Sequence, residues 1–200
     1  MSKTNLKIVV TGGPGGGKTT ALDLFQREYI GKISVVPEAA SLLFSAGMER
    51  EKDAQRAKLL QMAIYRTQKN LEESFSDLAR GDLMLCDRGT LDGLAYWADT
   101  EEDYFRTLNT SYENELSRYH AVIFFQTSAA VGDAIKSNNP FRTENAEQSL
   151  RIDKRLQEIW SRHPNYHFVP NHSSFMKKIG LGIITINKVL LDAQMKFNQA

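Results

Sequence analysis

The chain has 200 residues, 42% of them hydrophobic and 24% charged, the balance of a globular domain long enough to bury one substantial core. Twenty-five Lys and Arg against 24 Asp and Glu leave a formal net charge of +1, so no global field draws it to nucleic acid or an anionic membrane, and any anion must be held locally. Cys86 is the single cysteine, which excludes an intramolecular disulfide and a cysteine-built metal site and suits a reducing, cytoplasmic compartment.

Leu6–Thr11 (LKIVVT) is a β-branched run that ends in a glycine cluster, the pattern of a buried parallel strand followed by a tight loop. Leu22, Phe25 and Tyr29 recur at helical spacing over residues 18–29, so strand, glycine loop and helix follow directly on one another. Ile33–Pro37 predicts a second strand, with Glu38 at its end and a helix through AASLLFSA that stops near Gly47. From about Asp53 to Arg80 a pattern free of Pro and Gly sets Leu60, Ile64, Leu71, Phe75 and Leu78 along one stripe, and Gly81 ends the predicted helix. Leu83–Cys86 reads as a third core strand that delivers Asp87 and Arg88 at its C-terminal edge. Helical patterns over Leu91–Ala98 and Glu101–Arg118 precede a fourth strand, Ala121–Phe125. Residues 128–143 are polar and contain Asn138-Asn139-Pro140, a loop signal; a helix over Glu144–Arg162, a short strand at His167–Val169 and a closing helix over Ser173–Phe197 complete the chain. Strands alternating with helices predict an α/β fold of three layers around a parallel sheet. No linker or repeat interrupts the pattern, so residues 1–200 are expected to form one domain with a lid-like segment at about 128–150. Neither a secretory leader nor a membrane span is expected, since MSKTNLK leads into few apolar residues and Ile179–Ile186 is less than half a span.

Gly12-Gly13-Pro14-Gly15-Gly16-Gly17-Lys18-Thr19 fits G-x-x-x-x-G-K-[ST] between a predicted strand and a predicted helix. Glycines let successive backbone N–H groups converge on phosphate oxygens, and the helix N-terminus adds about half a positive charge. The expected nucleotide-binding set is therefore Gly12, Gly13, Pro14, Gly15, Gly16, Gly17, Lys18, Thr19 and Thr20, for ATP. Lys18 is expected to reach the β- and γ-phosphates, and the Thr19 hydroxyl and Asp87 carboxylate to hold Mg²⁺. Asp87 also suits a helix cap. Arg88 beside it either grips a phosphate or forms a surface ion pair. Glu38 sits on the rim where open α/β sheets bind ligands, as a base for an acceptor hydroxyl or as an acidic first-turn residue; Asp92 is the competing base. Arg142, in the polar loop after Pro140, is placed to close on a transferring phosphoryl group. The Glu147–Arg151 spacing makes Arg151 and Arg155 a solvated face, and Gln61, Tyr65 and Gln68 suit packing better than base recognition. The four histidines lack ligand spacing, and Cys86 has no neighbouring His to activate it.

Together GGPGGGKTT, VVPEAASLL, MLCDRGTLDGLAYW and FRTE followed by SLRIDKRL resemble a small AAA-domain family of P-loop proteins, akin to nucleoside and nucleotide kinases and including ribosylnicotinamide kinase-like domains. The resemblance spans about residues 6–170. It implies a five-stranded sheet of order 2-3-1-4-5, ATP and Mg²⁺ at the P-loop, and an acceptor pocket near Glu38, Asp87 and Arg88. Deoxynucleoside kinases place a carboxylate after strand two and an acidic–Arg pair after strand three, which Glu38 and Asp87-Arg88 match. Where those kinases commonly continue with Ser, Tyr or His, Gly89 stands here, and the arginine-rich lid is reduced to Arg142.

Two functions fit these features. One is transfer of the ATP γ-phosphoryl to a small nucleoside- or nucleotide-like acceptor; the other is a nucleotide-dependent ATPase or switch acting on a protein partner. A GTPase is disfavoured because Val189-Leu190 follow Asn187-Lys188 where N-K-x-D requires an aspartate, and an AAA+ motor because 200 residues leave little room for a second domain. Nucleic acid is not an expected partner, for want of a basic–aromatic stripe.

Overall fold

The computed structural model describes residues 6–29, 33–50, 53–78, 83–128 and 146–197, with residues 78 and 194–197 given by backbone alone. Five strands, β1 (Leu6–Thr11), β2 (Ile33–Val36), β3 (Leu83–Asp87), β4 (Ala121–Phe125) and β5 (Tyr166–Val169), form one sheet of order β2-β3-β1-β4-β5. Every neighbouring pair is parallel. The register sets Val10 beside Asp87 and Thr11 beside Phe124, so the C-terminal ends of the three central strands share one edge.

Alternate residues of the buried strands feed two cores. Ile8, Val10, Leu85, Ile123 and Phe125 face α1 (Lys18–Glu28) and α7 (Phe175–Phe197) through Leu22, Phe25, Ile179 and Ile186. Val9, Met84, Cys86, Val122 and Phe124 face the other layer, where Leu91, Tyr104, Leu156 and Trp160 pack. That layer contains α3 (Ala54–Leu78), α4 (Glu101–Leu108), α5 (Tyr112–Ser117) and α6 (Ala146–Trp160). Burial on both faces explains why these strands read as continuous apolar runs. α2 (Ala39–Ser45) follows β2 with Glu38 as its N-cap residue.

Two helical expectations change. The helical segment read over Leu91–Ala98 takes the 3-10 form, over Thr90–Tyr96. The single helix expected over Glu101–Arg118 is two: Asn109 turns left-handed at φ 52° to end α4, and the Ser111 hydroxyl accepts the Asn114 N–H at 3.2 Å to start α5. Gly182 in α7, a poor helix former, is there for packing. A Cβ at this position would stand 2.3 Å from the Phe125 ring, so only glycine lets α7 lie this close to β4. Among the described residues no helix is long and apolar enough to cross a membrane.

Candidate functional site

Between β1 and α1 the chain reverses over Gly12–Gly17. Gly12 has φ 133°, and a Cβ there would lie 2.0 Å from the Phe125 carbonyl oxygen, so the loop passes β4 at a distance that no other residue allows. Gly17, at φ 85°, is the N-cap of α1 and aims the first turn of that helix into the loop. The opening N–H groups of a helix have no intrahelical acceptor, which makes this end an anion receptor. The buried Lys18 Nζ donates to the carbonyls of Gly12 and Gly13, each at 2.9 Å, and so arches over the loop. Thr19 and Thr20 are exposed at the rim.

Three further elements hold the loop from outside. Asp153 Oδ1, from α6, accepts the N–H of Gly13 at 2.8 Å and that of Thr127 at 2.9 Å. The Thr127 hydroxyl donates to the Pro14 carbonyl and the Ser128 hydroxyl to that of Gly15, the latter at 3.0 Å. Asp153, Thr127 and Ser128 had no assigned role in the sequence. The signal for Asp153 was a carboxylate set in the buried stripe Ser149, Asp153, Leu156, Trp160 of an otherwise amphipathic helix.

Asp87 and Arg88 leave β3 as expected. The Thr19 hydroxyl donates to Asp87 Oδ2 at 3.2 Å, so two hard oxygen ligands meet at the mouth of the loop, the donor set that suits Mg²⁺. Burial and the neighbouring Glu38 charge push the Asp87 carboxyl up to about 6, against Lys18, Arg88 and the Thr19 hydroxyl. A carboxylate whose charge is disfavoured by burial and by a like charge gains from a divalent cation. Arg88 takes a left-handed backbone (φ 73°) that turns its side chain inward. Its Nε donates to Glu38 Oε1 at 2.6 Å, and its Nη1 to Asp92 Oδ2 at 2.8 Å and the Gly12 carbonyl at 3.1 Å. This is a buried bridge between strand ends, not the surface ion pair also open from sequence.

Glu38 and Asp92 are set apart by their partners. Asp92 receives the Thr11 hydroxyl (2.8 Å), Arg88 Nη1 (2.8 Å), Trp160 Nε1 (2.8 Å) and the Gly89 N–H (3.4 Å), so its acceptor positions are filled. Glu38 accepts from Arg88 Nε and the Ser41 hydroxyl and keeps 21% of its side chain exposed. Burial works against its charge, but Arg88, Ser41 and Lys18 outweigh it and hold the carboxyl down at about 2.

Glu38 opens onto an open-mouthed cleft that runs from the P-loop along α2 and α3. Pro14, Glu38, Arg88 and Asp92 line its reacting end; Phe44, Leu60, Gln61, Ile64 and Tyr96 line the rest, with Arg50 over the Phe44 ring at 5.3 Å. Of the α3 residues read as packing, Gln61 reaches this cleft. Tyr65 instead donates to Glu115 at 2.6 Å, and Gln68 Nε2 donates to the Arg88 carbonyl at 3.2 Å. Arg151 and Arg155 are exposed on α6, and Cys86 is buried, its thiol raised by desolvation. Arg142 and the core of the lid-like segment lie outside the described residues.

A glycine-cradled helix N-terminus beside a parallel sheet of order 2-3-1-4-5 defines a P-loop protein of the nucleoside- and nucleotide-kinase-like fold. A family model described as an AAA domain matches residues 7–175, and the chain belongs to that family. Among solved structures, thymidylate kinase from Candida albicans superposes over 93% of each chain with a TM-score of 0.64 and 14% identity. Deoxyadenosine kinase from M. mycoides, solved with bound dATP, covers 92% of this chain and 100% of its own, with a TM-score of 0.58 and 15% identity. No curated protein matches the chain.

Proposed function

We propose that the protein is an ATP-dependent phosphotransferase acting on a small nucleoside- or nucleotide-like acceptor. The observation that carries this reading is the continuity of the cleft. Pro14 of the phosphate loop and Glu38 beside α2 line one cavity, so a triphosphate on the loop and a second molecule along α2 and α3 would meet end to end. An aromatic ring, apolar walls and the Gln61 amide along the cleft are the chemistry that a planar heterocycle needs. The two structural relatives bear the names of kinases with nucleoside and nucleotide acceptors, which supports the same reading at the level of fold.

In this mechanism the amides of the loop and Lys18 hold the triphosphate, and Lys18 tracks the charge that spreads over the γ-phosphoryl oxygens. Thr19 and Asp87 would hold Mg²⁺, which would neutralise charge on the triphosphate. Glu38 takes the proton of an attacking hydroxyl. A hydroxyl oxygen that has bonded to phosphorus while still protonated is far more acidic than a carboxylic acid, so a carboxylate held at about 2 still accepts that proton. Arg88 orients Glu38 and ties it to the loop through Gly12. Arg142 is proposed as the lid cation over the transferring group.

ADP release measured with ATP and Mg²⁺, across nucleosides, nucleoside monophosphates and ribosylnicotinamide, tests the reading. Acceptor-dependent ADP with a phosphorylated product supports it. ADP formed equally without any acceptor would instead favour the ATPase reading.

A further inference from the structure

We propose that α6 is a strut that fixes the spacing between the nucleotide loop and Arg88, with Asp153 and Trp160 as positioning residues; the acceptor half of this inference rests on the two-substrate reading above. The two side chains stand seven residues apart, two turns of one helix face, or about 10 Å along the axis. Asp153 is 5% exposed and grips the loop through the Gly13 N–H at 2.8 Å. Trp160 is fully buried and gives its Nε1–H to Asp92 Oδ1 at 2.8 Å. Asp92 in turn takes Arg88 Nη1 at 2.8 Å, and the same nitrogen donates to the Gly12 carbonyl at 3.1 Å. Helix, loop and guanidinium thus form a closed circuit: α6 holds Gly13 directly, and Gly12 through Asp92 and Arg88.

Both contacts are made against a glycine. A Cβ on Gly13 would lie 2.5 Å from Asp153 Oδ1, and one on Gly89 would lie 2.8 Å from the Trp160 ring. At Gly89 the indole occupies the space a side chain would take, and from there it reaches Asp92. Neither Asp153 nor Trp160 lines the cleft, so each acts through another residue. Thr127, whose N–H shares Asp153 Oδ1 at 2.9 Å, ties the end of β4 into the same fixture.

The test uses the full chain with Mg²⁺ and a fluorescent N-methylanthraniloyl derivative of ATP, with urea unfolding alongside. Asp153→Ala is expected to weaken nucleotide binding about tenfold or more, and Asp153→Asn, which keeps an acceptor oxygen, to recover most of it. Trp160→Phe, which keeps an aromatic ring and loses the donor, is expected to hold ATP affinity within about twofold while acceptor-dependent turnover falls about tenfold. A purely stabilising role would lower the unfolding midpoint and leave both ligand constants alone. A folded Asp153→Ala with wild-type affinity overturns the proposal. If that variant is insoluble, a folded Trp160→Phe with unchanged acceptor KM and kcat overturns it. A wild type that binds the ATP derivative but forms no ADP with any acceptor refutes the kinase reading alone, because the Asp153 arm is read by binding.

Discussion

Asp92→Asn separates the two carboxylates that compete for the role of base. The substitution keeps shape and one acceptor oxygen but turns an NH₂ toward a site where Thr11, Arg88, Trp160 and Gly89 all donate. At least one donor loses its partner, and Arg88 loses one of two counterions in a setting where Asp92 is 5% exposed. Breaking a buried ion pair costs about 3–5 kcal/mol; because Glu38 still holds Arg88 Nε at 2.6 Å, the low end, about 3 kcal/mol, applies. For a chain of this size that lowers Tm by about 6–12 °C. Differential scanning calorimetry reads it directly. Glu38→Gln should move Tm less than half as far, yet lower acceptor-dependent kcat about 100-fold, the usual worth of a general base. An Asp92→Asn variant within about 2 °C of wild type would refute the argument that this carboxylate holds the strand ends together.

Three further outcomes follow from single positions. Burial, opposed by the charge of Asp153, pushes the Lys178 amine down from 10.5 to about 8, so the unfolded chain binds more protons between those values and stability should rise with pH across them, by at most about 3 kcal/mol. Lys178→Met should flatten that rise in urea unfolding run at several pH values; an unchanged slope would assign it to another group. Gly12→Ala, with its Cβ 2.0 Å from the Phe125 carbonyl oxygen, should yield little soluble protein, and a soluble variant with wild-type Tm would contradict the close approach of the loop to β4. Gly180→Ala meets nothing within 4 Å on α7 and should add about 1 kcal/mol, seen as a Tm higher by about 2–4 °C.

The three central strands, β1, β3 and β4, were legible because they are buried on both faces, which forces short, continuous apolar runs, and because β1 ends in glycine and β3 in charge at the ligand-binding edge. Glu38, Asp87 and Arg88 were legible for that same reason: strand ends place them together whatever the rest of the chain does. The split at Asn109 was not, since one left-handed residue interrupts a helical pattern without altering its periodicity. Nor were the restraints on the site, because their partners are distant in sequence: Asp153 meets Gly13 across 140 residues, and Trp160 meets Asp92 across 68. Sequence favoured Glu38 as the base but left Asp92 open as its competitor. Only a count of the donors already converging on Asp92 tells them apart.

Lys18 brings the molecule back to its first motif with a thermodynamic consequence. The residue is 3% exposed, and its ammonium is already fastened to the Gly12 and Gly13 carbonyls. Stripping water from that cation is therefore part of the cost of folding, not of capturing a ligand. A triphosphate arriving at the loop meets a charge that is dry and aimed, and most of the solvent reorganisation left to it concerns its own oxygens.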